Sequence, residues 1–213
     1  MNDRQEGRER VREATSAAIL AAAQELFSAQ GFTPVTVRAI AERAGVSHAL
    51  VHRYLGSKAD IYRAVLTRNE DAILNAASDD LDLLESASLM LREALTTQRK
   101  YVRLVAHSAL RGVSYDRTSG GFAATKRLVE LAQEAAASAS PAERGEKDLD
   151  PRFVVAGAVA LLLGWVATES WVLPAAGIGD MDQAQAEAGL ERLIRNILSA
   201  NVPGLDGSGR TSS

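Results

Sequence analysis

Cysteine is absent from the 213-residue sequence, which excludes disulfides, thiolate metal sites and thiol nucleophiles and leaves packing alone to hold the framework. This suits a reducing compartment, and the cytoplasm is the expected location. Aromatics make up only 5% of the residues and strand-like alternation is rare, so a β-sandwich or barrel is excluded. The opening "MNDRQEGRERVREATSA" has no apolar stretch before a small-residue cleavage site and does not read as a secretory signal. No phosphate-binding glycine loop and no Ser/His/Asp signature occurs, so neither an enzyme nor a cofactor is expected.

Alanine and leucine at helical spacing recur nearly throughout, which predicts an all-α chain. The net charge of −3 hides a division: residues 1–70 hold 10 basic and 8 acidic side chains, and the rest hold 14 and 19. Ile19, Ala22, Ala23, Leu26 and Phe27 form the buried stripe of a helix over 15–30, stopped by Gly31. Thr36 caps a short second helix that Gly45 breaks, Ser47 caps a third ending at Leu55 and Gly56, and Ser57 caps a fourth. Further helices are expected at about 57–77, at 81–112 with a break near Thr97, and at 121–139. "SASPAERGEKDLD" reads as a linker, Asp150 and Pro151 as the cap and first residue of a long helix to about Leu173, and 182–200 as the last helix.

Ala41, Gly45 and Val51 supply the small crossing residue, the turn glycine and the locking apolar residue of a helix-turn-helix. Ile40, Ala44, Val46 and Val51 then face inward, and Ser47, His48, Ala49, His52 and Arg53 face outward. Such a second helix fits a major groove about 12 Å wide. His48 and His52 also have the spacing zinc uses on helices, but no third ligand is near, and no metal is expected.

From about Val11 to Leu66 the chain resembles the DNA-binding domain of the TetR family of bacterial transcriptional repressors, in "ILAAAQELFSAQGF", "TVRAIAERAGVS" and "SKADIYRAVL". It departs from the pattern at Ala49, His52 and Leu55, where the family usually has Gly, Tyr and Phe. The resemblance implies that Thr36, Arg38, Tyr54 and Lys58 anchor the DNA backbone, that His48 and Ala49 face the bases, and that Ser47 and Arg53 lie at the margin. His52 would then donate to the phosphate that the family's tyrosine contacts. Ahead of this domain, Arg4, Arg8, Arg10 and Arg12 can follow a minor groove, but the interleaved Asp3, Glu6, Glu9 and Glu13 favour plain solvation.

"FVVAGAVALLLGWVATESWVL" is apolar enough to raise a membrane reading, but Glu169 lies within it, and a buried helix is the better account. Ala156, Ala160, Gly164 and Thr168 form a row of small residues that permits close helix approach. By resemblance, this row with Leu190, Leu193, Ile194 and Ile197 is the interface of a homodimer, which would read a palindromic operator. The other face, with Phe153, Trp165, Glu169 and Trp171 joined by Tyr101, Val105 and Phe122, is expected to line the pocket in which the family binds an inducer. Arg99, Arg103, His107 and Arg111 recur at every fourth position, as an exposed solvated row or as a face for an anionic ligand or the acids at 79–85.

The expected organisation is a flexible charged arm at 1–11, an N-terminal three-helix DNA-binding domain at 12–72 with its motif at 36–55, a C-terminal helical ligand-binding and dimerisation domain at 73–200, and a disordered tail at 201–213. The expected function is a homodimeric repressor that binds double-stranded operator DNA and is released by a small apolar or amphipathic inducer, with no membrane partner. Two alternatives remain: a DNA-binding regulator without an inducer, and a helical enzyme using Glu169, Tyr101 and His107.

Overall fold

The computed structural model describes residues 2–112, 122–147 and 149–205, and among these every regular element is a helix. Two compact units divide the chain. The first comprises residues 1–69 and 103–121, the second 70–102 and 122–213. The second unit therefore begins three residues before the boundary expected from the sequence, and the first also takes in a distant segment that no local pattern assigns to it. This partition sharpens the charge division: the first unit holds 13 basic and 8 acidic residues, the second 11 and 19.

In the first unit, α1 (Asn2–Gln30) packs on α2 (Val37–Ala44) and α3 (His48–Leu55), and α4 (Lys58–Leu74) contributes up to Asn69. Ile19, Ala23, Phe27, Val35, Ile40, Val51, Ile61 and Val65 form its core. Three of the ten aromatics, Phe27, Phe32 and Tyr62, form a cluster with ring centroids 4.9–5.9 Å apart. The Tyr62 hydroxyl bonds the Ser108 hydroxyl at 2.8 Å, on α6 (Arg99–Leu110). Residues 2–11, expected as a flexible arm, instead begin α1, because the sequence is rich in helix-forming Arg, Glu and Gln and only Gly7 interrupts it.

In the second unit, α5 (Leu83–Thr96) packs on α7 (Ala123–Ser138) and α10 (Gln183–Asn201), and α9 (Pro151–Ala175) packs on the same two, so the four form a ring. Asp82 and Glu85 close a reciprocal capping box at the start of α5. The expected break near Thr97 separates α5 from α6. Asp150 caps α9 by accepting from the Arg152 N–H at 2.8 Å, and the Arg152 guanidinium on the same exposed carboxylate holds it well below the usual range, at about 2.

Two local readings are corrected. The expected linker contains a helix, α8 (Pro141–Glu146), because Ser140 and Glu143 form a second capping box around a first-turn proline. Past α10, Val202 and Pro203 are buried and Lys147 donates to the Val202 carbonyl at 3.1 Å, so the chain remains packed where the tail was expected to begin. Residues 206–213 of that tail, and Gly121 at the expected start of α7, lie outside the described residues.

Candidate nucleic-acid interface

The turn between α2 and α3 is built by two residues. Gly45 takes the left-handed conformation (φ 67°, ψ 29°), and its N–H reaches the carbonyls of Ala41 and Glu42. A Cβ there would meet open space, so it is the backbone angle that calls for glycine. Ser47 then accepts from the Leu50 N–H at 3.2 Å and starts α3. Val51, fully buried, fixes which face of α3 turns inward. Ser47, His48, Ala49, His52 and Arg53 are left exposed, and the two histidine rings lie edge to face with centroids 4.6 Å apart. Among the described residues no group of three or more His, Asp or Glu side chains could hold a metal.

The four expected backbone anchors are less uniform than the sequence suggests. Thr36 uses its hydroxyl oxygen to accept from the Ala39 N–H at 3.1 Å, capping α2 while its own O–H stays available to donate. Arg38 is exposed and paired to Glu42 at 3.1 Å, a contact that solvent weakens. Lys58 donates to the Thr33 carbonyl at 2.9 Å and stands 4.3 Å over the Phe32 ring, and partial burial lowers its pKa. One of its three N–H donors thus holds the loop before α2, and two remain. Tyr54 is half-buried, with the Arg12 guanidinium carbon 6.0 Å from its ring centroid. The sequence pattern hides this neighbour, because the apolar stripe that marks the first helix starts only after Thr15, whereas α1 already includes Arg12.

The second unit places the expected pocket residues in different surroundings. Tyr101 is buried and donates to Glu70, while Val105 is buried in the first unit. Phe122 is half-buried at the start of α7 and is the one non-glycine among the described residues with a left-handed φ, 62°. Trp165 is half-buried, and its indole N–H, itself buried, has no acceptor among the described residues. Phe153 and Trp171 correct the sequence reading: at 67% and 82% exposure they wall no pocket of this unit. Glu169 also differs, because both its oxygens accept from Arg99, which bonds Glu187 as well at 2.8 Å. Arg99 therefore leaves the expected exposed row; Arg103, His107 and Arg111 are exposed, with the Arg111 guanidinium close to Gly31.

The expected interface residues divide in the same way. Ala156, Ala160, Gly164 and Thr168 are exposed along α9, and Leu193 is 48% exposed on α10. Leu190 and Ile194 are buried within the unit and available to no partner, and Ile197 is half-buried. Of the described helices, α9 alone has the length and composition to cross a membrane.

Glu70 carries no role in the sequence reading, yet it is the most buried carboxylate of the described residues. It accepts from Tyr101 and, at 3.3 Å, from the Ala124 N–H in the first turn of α7. Burial, only partly opposed by these bonds, raises its pKa. Such a group stabilises the fold below the ordinary glutamate range and loses that contribution as pH rises through its higher folded value. Glutamine can mimic the protonated form, donating to the Tyr101 oxygen while accepting from Ala124. Denaturant unfolding of Glu70→Gln across that window should therefore show a stability advantage over the wild type that grows with pH. A constant difference would contradict the assignment.

Comparison with known proteins adds to this geometry. Residues 19–65 match the family described as "Bacterial regulatory proteins, tetR family". The chain is 28% identical over 187 residues, 88% of its own length and 90% of the relative's, to the HTH-type transcriptional repressor Rv3405c of Mycobacterium tuberculosis. Over 77 residues, 36% of this chain and 35% of the relative, it is 32% identical to the HTH-type transcriptional activator FasR of Mycolicibacterium smegmatis. Its fold is similar to that of a TetR-like transcriptional regulator from Rhodococcus sp. RHA1, with a TM-score of 0.56 at 23% identity over 89% of this chain and 96% of the other.

Proposed function

Because this chain belongs to the TetR family of bacterial regulatory proteins, DNA-binding regulators of transcription, we propose that it is a cytoplasmic homodimeric repressor that occupies a palindromic operator and leaves it when a small apolar or amphipathic molecule binds the C-terminal unit. The observation that carries this reading is the exposed face of α3, with Ser47, His48, Ala49, His52 and Arg53 held outward by buried Val51 in a unit of net positive charge. His48 and Ala49 read base edges, and Thr36, Arg38, His52, Tyr54 and Lys58 hold the backbone. One such helix makes few base contacts, so two copies are needed, about 34–36 Å apart or slightly more along the operator. Repression rather than activation is favoured by the repressor likeness, which spans most of both chains, whereas the activator likeness is confined to about a third of each. The buried indole N–H of Trp165, which has no acceptor among the described residues, supports an inducer that carries a hydrogen-bond acceptor.

Selection from a random duplex library at two salt concentrations tests the reading: one palindrome should be enriched, with affinity falling steeply as salt rises. His48→Ala should then lower discrimination at the bases it reads by about 1 kcal/mol or more, while His52→Tyr keeps or strengthens binding. Enrichment of no sequence would overturn the assignment. Ligand response is read from Trp165, since the sequence has only two tryptophans and Trp171→Phe leaves it as the sole indole reporter.

A further inference from the structure

The first half of α1 does not serve the core. From Gln5 to Ala18 no side chain is buried, and the first buried residue is Ile19. This stretch, about 20 Å long at 1.5 Å per residue, stays helical without burying apolar surface. Interleaved charges in sequence become separated charges on the helix. At 100° per residue, Arg8, Val11, Arg12 and Thr15 share one face, Glu6, Arg10 and Glu13 share the opposite one, and Glu9 stands between them.

The basic face borders a groove of about 660 Å³ lined by Gly7, Arg8, Val11, Arg12, Arg53 and Tyr54. Three guanidiniums line this groove, and none of the three has a carboxylate partner among the described residues, whereas Arg38, Arg43 and Arg63 of the same unit each hold one. Like charges gathered without counter-charge suit an anionic occupant, and the planar guanidinium fork matches the paired oxygens of a phosphodiester. Two of the lining residues, Arg53 and Tyr54, are the last turn of the helix whose outward face reads the operator, so the groove continues that surface.

We propose that this groove binds the DNA backbone beside each half-site, with Arg8 and Arg12 as phosphate ligands that add affinity and register without reading bases. The inference rests on the reading of α3 as the recognition helix, and the experiment separates the two. Affinity of the full chain for its selected operator is measured against salt for the wild type, Arg8→Ala/Arg12→Ala and the charge control Arg10→Ala, whose residue lies off the groove. Each lost phosphate contact lowers the slope of log K against log salt by about 0.9, so a dimer losing four should show a slope shallower by about 3 to 4. Base preference stays the same, and ethylation interference loses two phosphates per half-site. Arg10→Ala changes the slope by less than 1. Alanine favours helix at both positions, and circular dichroism reports that α1 persists. A double-variant slope equal to that of Arg10→Ala overturns the groove while leaving the recognition helix in place. If the wild type selects no sequence, the reading of α3 fails and this proposal with it.

Discussion

Arg99→Ala is expected to destabilise the C-terminal unit by about 3 kcal/mol, which for a protein of this size lowers the melting temperature by roughly 6–12 °C. The reason lies in what the substitution leaves behind. Arg99 bonds both oxygens of Glu169 and one of Glu187, and the three side chains are only 17–19% exposed. A surface pair of this kind would contribute little, but solvent screens these groups poorly. Alanine removes the only cation paired with either carboxylate among the described residues, so two negative charges from α9 and α10 face each other half-buried. Glu187 keeps the Gln183 amide at 2.8 Å, which lessens its loss. Glu169 keeps nothing comparable among the described residues. Adding Glu169→Gln to Arg99→Ala should therefore recover a substantial part of the stability. A double variant as unstable as the single would place the damage in lost packing of the arginine stem instead, and a single variant melting with the wild type would show that the network contributes nothing.

This network also shows what the sequence could not reveal. Most features set by neighbours in sequence were legible: Thr36, Ser47 and Asp150 cap their helices, Gly45 makes the turn, and Val51 locks it, whereas the Ser140–Glu143 box was hidden in a stretch whose composition reads as linker. These depend on side chains one to four residues from the backbone they satisfy. Arg99 is 70 residues from Glu169 and 88 from Glu187, and no local pattern encodes that meeting. Spacing alone therefore read Arg99 as one of an exposed row. The same gap explains α10, whose periodicity reports an apolar stripe but not which part of it the chain itself covers. Leu190 and Ile194 turned out to be core, and Leu193 was left outside. At the N-terminus the charges that read as solvated are exposed from Gln5 to Ala14, but they stand on the first turns of α1 and not on a flexible arm. The outward face of α3 was legible because a single buried valine fixes the rotation of an eight-residue helix.

The second large effect concerns α9. Only 22% of its apolar window is buried, yet it holds no charge before Glu169 after its first turn. Phe153, Trp171 and Val172 stand exposed beside the small residues Ala156, Ala160 and Gly164, and Leu193 is exposed on α10. A continuous apolar surface of this kind is rare on a monomer, and small residues let a second helix approach closely. A twofold partner presenting the same row would bury it. Ala160→Arg should then convert the dimer to a monomer at micromolar concentration, because a long cation replaces a methyl at the closest approach and meets its own copy or an apolar wall. Operator affinity should fall about 100-fold or more, since the second half-site contact no longer comes from a tethered head. The substitution is at an exposed position, so the helical content of the chain should be retained. Gln133→Arg, exposed on α7, adds the same charge and should change neither mass nor affinity. If Ala160→Arg remains dimeric and binds as the wild type does, the exposed face of α9 is not the interface, and the pairing of two reading heads must be carried elsewhere.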